Sequence, residues 1–169
     1  PEWDGIVISH SYLGSIGTSN DFTSLVLTHE AGHYLNLQHA WGGNNRPGAI
    51  FYPPGKTDNC NRDDEVGDTP NTIGWQSCNL KGESCGSKDN VQNYMEYSYC
   101  SKMFTEGQKA RMHAALNSGT GQRNNLWTAS NLTATGVSDP AVFCKADFRT
   151  TLTEVCVGTS IDFIDDSFF

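Results

Sequence analysis

Residues 41–100 show neither the 3.6-residue period of a helix nor the alternation of a half-buried strand. Gly, Asn, Asp and Pro dominate the stretch. Ordering each residue costs about 1–2 kcal/mol of backbone entropy, and no regular ladder is in view to offset it. A loop region this long therefore needs covalent or metal support. Four cysteines, Cys60, Cys78, Cys85 and Cys100, punctuate it. Cys144 and Cys156 bring the total to six, ordinary for an exported protein and high for a cytosolic one. None forms a Cys-x-x-Cys pair, which argues against a zinc ribbon or a thioredoxin-like site. Disulfides in an oxidising, extracellular compartment are expected, with buried reduced cysteines as the alternative. Spacing alone leaves three pairings of the four loop cysteines open.

The 169 residues allow one real core and a second small piece. The net charge of −8, from 19 acidic and 11 basic residues, repels phosphate and excludes nucleic acid as a partner. No apolar run approaches the roughly 20 residues of a membrane span. The chain opens on Pro1 with no initiator Met or signal peptide, and stops at Phe169 just after a strand-like pattern. It is expected to be a piece of a longer, secreted precursor.

"WDGIVIS" (3–9) reads as a buried strand, and 11–20 as a Gly/Ser-rich loop. A helix is expected from Asn20 or Asp21, both good N-caps, with Phe22, Leu25, Val26, His29, His33 and Leu37 at helical spacing. A second helix is expected within 104–119. Thr105 and Gln108 have capping-box spacing, and 117–119 supplies the stop. Residues 125–136 read as a polar connection. From Ala141 two short runs alternate apolar and polar residues, as antiparallel strands do. The fold class is α+β, with one domain over 1–136 and a truncated β module over 141–169.

Three of the five histidines fall within residues 29–39. His29 and His33 are four apart, so on a helix they stack on one face and can reach one ion at about 2.0–2.1 Å. Glu30 lies beside them. His-Glu-x-x-His is the zinc-hydrolase signature, in which the Glu polarises a water held by the metal. A solvated helix face carrying two histidines is the bland alternative. A straight helix would carry His39 away from the other two. It returns only if the helix stops and the chain bends back, and Asn36, after Gly the residue that best tolerates positive φ, stands at the bend. Three histidine ligands leave a fourth position for water, as a catalytic zinc requires.

With Asn36 in place of the usual Gly, this motif resembles the metzincin metallopeptidases. "NYMEY" (93–97) resembles their Met-turn, with Met95 as its methionine and Tyr97 as the tyrosine that steadies the transition state. The alternatives are core packing for Met95 and a structural role for Tyr97. "HEAGHYLNLQHAWGG", "CNRDDEVGDTP", "CNLKGESC" and "NYMEYSYCSKMFTEGQKARM", in that order, resemble the pappalysin family in its bacterial secreted members. The resemblance covers about 3–116. It implies zinc on His29, His33 and His39, Glu30 as general base and acid, and disulfides Cys60–Cys85 and Cys78–Cys100. It also implies calcium on Asp64 and Thr69 with main-chain help from Asp63 and Gly67, a loop whose hard oxygen donors suit that ion; a solvated acidic loop is the alternative. Tyr99 precedes Cys100 where some relatives carry an acidic residue, so no preference for Arg or Lys is implied. The family's five-stranded sheet is represented only by 5–9, so this chain is expected to be a weak or inactive peptidase by itself.

The tail resembles the first two strands of an Ig-like module of the polycystic-kidney-disease type, with a Cys144–Cys156 bridge. The expected function is a monomeric, secreted zinc endopeptidase acting on proteins or peptides. A gluzincin-like site needs a Glu on a following helix, and none lies between Glu30 and Glu65. A non-catalytic zinc- and calcium-binding extracellular module is the remaining alternative.

Overall fold

The computed structural model describes residues 5–14, 18–20, 22–43, 48–137, 148–150, 154 and 156–165. The chain divides into two compact units, Pro1–Leu126 and Trp127–Phe169.

In the first unit, the Asn20 side-chain oxygen accepts hydrogen bonds from the amides of Phe22 and Thr23, both at 3.0 Å. This satisfies donors that a helix start leaves open. The resulting 3₁₀ turn, Thr23–Leu25, runs into α1, Val26–Tyr34. Asp21, the other expected cap, lies outside the described residues. Gly32 is buried on α1, and a Cβ there would stand 2.5 Å from the Met95 sulfur. Only glycine lets the helix approach the methionine so closely.

Helix α1 ends in a Schellman motif. Leu37 N–H donates to Gly32 O at 2.9 Å and Asn36 N–H to His33 O at 3.0 Å, while Asn36 itself takes φ 71°. Beyond the turn, Leu37, Ala40, Trp41, Val66, Val91 and Met95 form the apolar core. Trp41 is fully buried, and its indole N–H donates to Tyr52 O at 2.8 Å. Replacing the fully buried Met95 with Ala is expected to destabilise the unit by about 2–5 kcal/mol, the cost of a methionine-sized cavity; a denaturant melt reads it.

Residues 41–100 are largely irregular, and two disulfides, Cys60–Cys85 and Cys78–Cys100, staple them. Strands β1 (Glu83–Ser84) and β2 (Ser87–Lys88) pair antiparallel. Cys85 at φ 50° and Gly86 at φ 84° form the two-residue turn between them, the pattern of a type I′ hairpin. Helix α2, Glu106–Leu116, begins with a full capping box between Thr105 and Gln108 and ends at Asn117. Gln108 is fully buried, and its side-chain oxygen also accepts from Asn93 at 2.8 Å. Asn93 in turn accepts from Met95 N–H at 2.8 Å. The helix start thus supports the methionine turn through a satisfied buried network.

In the second unit, α3 (Ala129–Ala134) is capped by the Thr128 hydroxyl, which accepts from Asn131 N–H at 3.3 Å. Strands β3 (Phe148–Thr150) and β4 (Phe163–Asp165) pair antiparallel with Arg149 opposite Ile164.

Two expectations need correction. Residues 6–9 are not a strand, and Val7 is almost wholly exposed; among the described residues no segment supplies the partner ladder a strand needs. The only sheets among them are the two ribbons. Residues 125–136 are not a plain connection, because Thr128 caps α3 and Ala129, Leu132 and Ala134 suit a helix. Cys156 is exposed, and the Cys144 expected to bridge to it lies outside the described residues.

Candidate metal centre

Helix α1 presents His29 and His33 one turn apart, with ring centroids 4.7 Å from each other. The turn at Asn36 brings His39 back to them. The ligand nitrogens of the three rings lie within 4.8 Å of one another, and Nε2 of His33 is 3.2 Å from Nε2 of His39.

Backbone carbonyls set the ring orientations. His29 Nδ1 lies 2.6 Å from Tyr94 O, and His33 Nδ1 lies 2.8 Å from Leu37 O. A carbonyl only accepts, so each Nδ1 carries the proton and each Nε2 keeps its lone pair. Nε2 of His29 is buried with no hydrogen-bond partner. His39 is 2% exposed and stacks on Trp41, centroids 4.3 Å apart and planes 4° from parallel. Burial lowers all three pKa values, His29 to about 4, His39 to about 2, and His33 to a lesser degree. The rings are therefore neutral at physiological pH. Three neutral imidazoles whose ligand nitrogens converge, that of His29 orphaned in the interior, suit a zinc-type cation.

Glu30 and Tyr97 lie at the same place. The Tyr97 ring centroid is 5.5 Å from that of His29 and 5.0 Å from that of His39. A cavity of about 520 Å³ opens beside them, lined in part by His29, Glu30, Tyr97, Phe22, Leu25 and Tyr94. Met95 is buried beneath, its carbonyl accepting from Ala40 N–H at 3.1 Å. The methionine turn is thereby tied to both sides of the histidine cluster, through Tyr94 O and Met95 O.

Between them, Glu96 is 3% exposed, and its carboxyl accepts from Trp75 N–H at 2.7 Å. Burial pushes its pKa from 4.5 up to about 8. The folded chain thus holds a proton there that the unfolded chain releases above pH 4.5. This contribution to stability falls as pH rises from about 4.5 to 8. Glu96→Gln removes the dependence. The melting temperature of the variant relative to the native chain is expected to climb across pH 5 to 8, and a flat difference would mean the carboxyl is ionised in the fold.

Of the expected calcium residues, Asp64 is 2% exposed and Thr69 is 7% exposed, its hydroxyl buried against the Asp64 carboxyl. Asp64 accepts from Val66 N–H at 3.0 Å, and burial pushes its carboxyl up to about 7. Asp63 and Gly67 are exposed on the same loop, and Asp63 accepts from Glu65 N–H at 2.6 Å.

Sequence reasoning did not single out Trp41, Asn93, Glu96, Gln108 and Arg111 as members of this region. For Asn93 the signal was local: an Asn two residues before Met95 can accept from its amide. For Trp41 it was the aromatic two residues beyond His39. The others act across 15 to 75 residues of sequence separation and left no local mark.

Residues 4–117 match the family model Peptidase_M43, described as Pregnancy-associated plasma protein-A. A protein named extracellular metalloprotease from Sordaria macrospora is 35% identical over 121 residues, 68% of this chain and 38% of its own length. Proteins of the same name from Arthroderma otae and Verticillium alfalfae are 32% identical over 117 residues and 37% identical over 94. The alignments cover 66% and 52% of this chain, and 38% and 28% of those proteins. The chain thus spans less than two-fifths of these relatives' length. They are fungal, where a resemblance to bacterial secreted members was expected. No solved structure matches. The matched span contains the histidine cluster, the methionine turn and both disulfides, and the chain belongs to the family described as Pregnancy-associated plasma protein-A.

Proposed function

We propose that the chain carries the catalytic centre of a secreted zinc endopeptidase. The observation that carries this reading is the convergence of three neutral imidazoles, beside Glu30, at the wall of an open cavity. His29, His33 and His39 would hold the ion, Asn36 makes the turn that unites them, and Met95 packs beneath. Zinc, when bound, supplies Lewis acidity toward water and the substrate carbonyl. The Glu30 carboxylate takes a proton from the attacking water and delivers it to the departing amine nitrogen. The Tyr97 hydroxyl donates a hydrogen bond to the carbonyl oxygen as negative charge builds on it. The cavity beside Glu30 receives a substrate side chain.

Calcium on Asp64 and Thr69, with main-chain oxygens of Asp63 and Gly67, is part of the same reading. A buried carboxyl with a raised pKa and a buried hydroxyl against it on one loop support it. Secretion is supported by the two disulfides and by the relatives' names, and no helix among the described residues is long and apolar enough to cross a membrane. The β3–β4 ribbon is read as the start of an Ig-like module.

The competing reading is a zinc- and calcium-binding module without turnover, which the same ligand sets would serve. Metal content and digestion of a peptide library, measured on the same sample, separate the two. One zinc per chain with chelator-sensitive cleavage supports the peptidase. Zinc without cleavage supports the binding module, and no zinc overturns both.

A further inference from the structure

We propose that Arg111 is a positioning residue of the metal centre, its guanidinium holding the turn at Asn36 that carries His39 toward His29 and His33. The inference rests on the reading of those three rings as zinc ligands.

Asn36 occupies a left-handed conformation that a residue with a Cβ disfavours, so the turn needs support. The amides of Asn36 and Leu37 close the end of α1, but these bonds leave the Asn36 carbonyl unused. Arg111 Nε donates to that carbonyl at 2.8 Å. The peptide between residues 36 and 37 is therefore held on both sides, by Gly32 O at its N–H and by Arg111 at its C=O. The next carbonyl, Leu37 O, orients His33 through Nδ1. Two residues further, the chain delivers His39. The peptide that Arg111 holds thus lies between two of the three rings.

The other end of the guanidinium is fixed as well. Nη1 donates to Asp64 O at 3.2 Å and to Glu65 O at 3.3 Å, and Nη2 lies 3.5 Å from the Glu65 carboxylate. Glu65 is itself at φ 63°, so one planar fork ties together two strained turns. Arginine can do this because its donors diverge in a rigid plane, whereas a lysine ammonium is a single point. Arg111 also stands three residues after Gln108 on α2, close to the same face. Gln108 supports Asn93 behind Met95. Helix α2 is thus a rail that steadies the methionine turn with one residue and the histidine turn with the next on that face.

The test compares zinc affinity, by competition with a chromophoric chelator, for the native chain, Arg111→Met, Arg111→Lys and Arg123→Met. Arg123 donates to Tyr34 O at 3.0 Å, on the helix before the turn, and serves as the control. The visible spectrum of the Co2+-loaded chain and the melting of the metal-free chain are read in parallel. Arg111→Met is expected to weaken zinc binding about 10- to 100-fold, the range for loss of an outer-shell partner. It should also alter the Co2+ spectrum while the metal-free chain still folds. Arg111→Lys should fall between it and the native chain, and Arg123→Met should stay within about twofold of native. Affinities within that margin for both Arg111 variants overturn the proposal. So does an equal loss in Arg123→Met, or failure of both Arg111 variants to fold without metal, since the residue would then serve the fold at large. A native chain that binds no zinc instead sinks the underlying reading of the histidines.

Discussion

Glu30→Gln is expected to retain one zinc per chain while slowing peptide hydrolysis by about 10²- to 10⁴-fold, the usual contribution of a positioned general base. Glutamine keeps the shape and the hydrogen-bonding reach of the side chain, but its amide cannot take a proton from water at neutral pH. The metal donors are imidazole nitrogens, each oriented without help from Glu30: His29 by Tyr94 O, His33 by Leu37 O and His39 by its stack on Trp41. The Glu30 charge raises the basicity of His33, so neutralising it leaves that ring, if anything, more fully unprotonated and ready to bind. Turnover and metal content are measured on the same sample, with the exposed Glu83→Gln as a control. Loss of zinc in Glu30→Gln would make Glu30 a ligand or a structural residue. Turnover near the native rate would falsify the general-base role.

What the sequence disclosed, and what it withheld, follows from where each interaction is encoded. The bend at Asn36 was legible because positive φ is a property of the residue itself. So was the Thr105/Gln108 capping box, a contact between residues three apart. The irregularity of 41–100 was legible from composition, and the need for staples followed from it. The pairing of the cysteines was not, since spacing leaves three solutions, and the resemblance to relatives chose among them. The strand read over 3–9 is absent from its described residues 6–9 because a strand is defined by its partner, which no local pattern contains. Helix α3 was misread because Ser, Thr and Asn suit turns and caps equally, and Thr128 is a cap. Least visible were the acceptors around the histidines. Tyr94, Leu37 and Asn36 contribute backbone carbonyls, a group every residue carries, so nothing in their side chains marks them. Arg111 reaches its carbonyl across 75 residues.

Removing His39 is expected to cost more zinc affinity than the roughly 10- to 100-fold of an outer-shell partner, because it deletes a ligand instead of tilting one. The contrast with the plainest reading of the motif makes the experiment decisive. If His29 and His33 were merely two histidines on a helix face, with His39 a buried aromatic stacked on Trp41, then His39→Ala would cost stability and leave metal affinity unchanged. In the cluster described above, the same substitution leaves two donors where tetrahedral zinc needs three from the protein and one from water. Stability and affinity must therefore be read separately. His39→Phe keeps a flat ring against Trp41 and limits the packing loss, yet offers no lone pair. It is expected to lose zinc as His39→Ala does while melting closer to the native chain. The exposed His113 of α2 supplies the matched control, and His113→Ala should bind zinc as the native chain does. Zinc affinity retained in His39→Phe would leave only the two-residue helix face, and with it no coordination set for the chemistry assigned to Glu30.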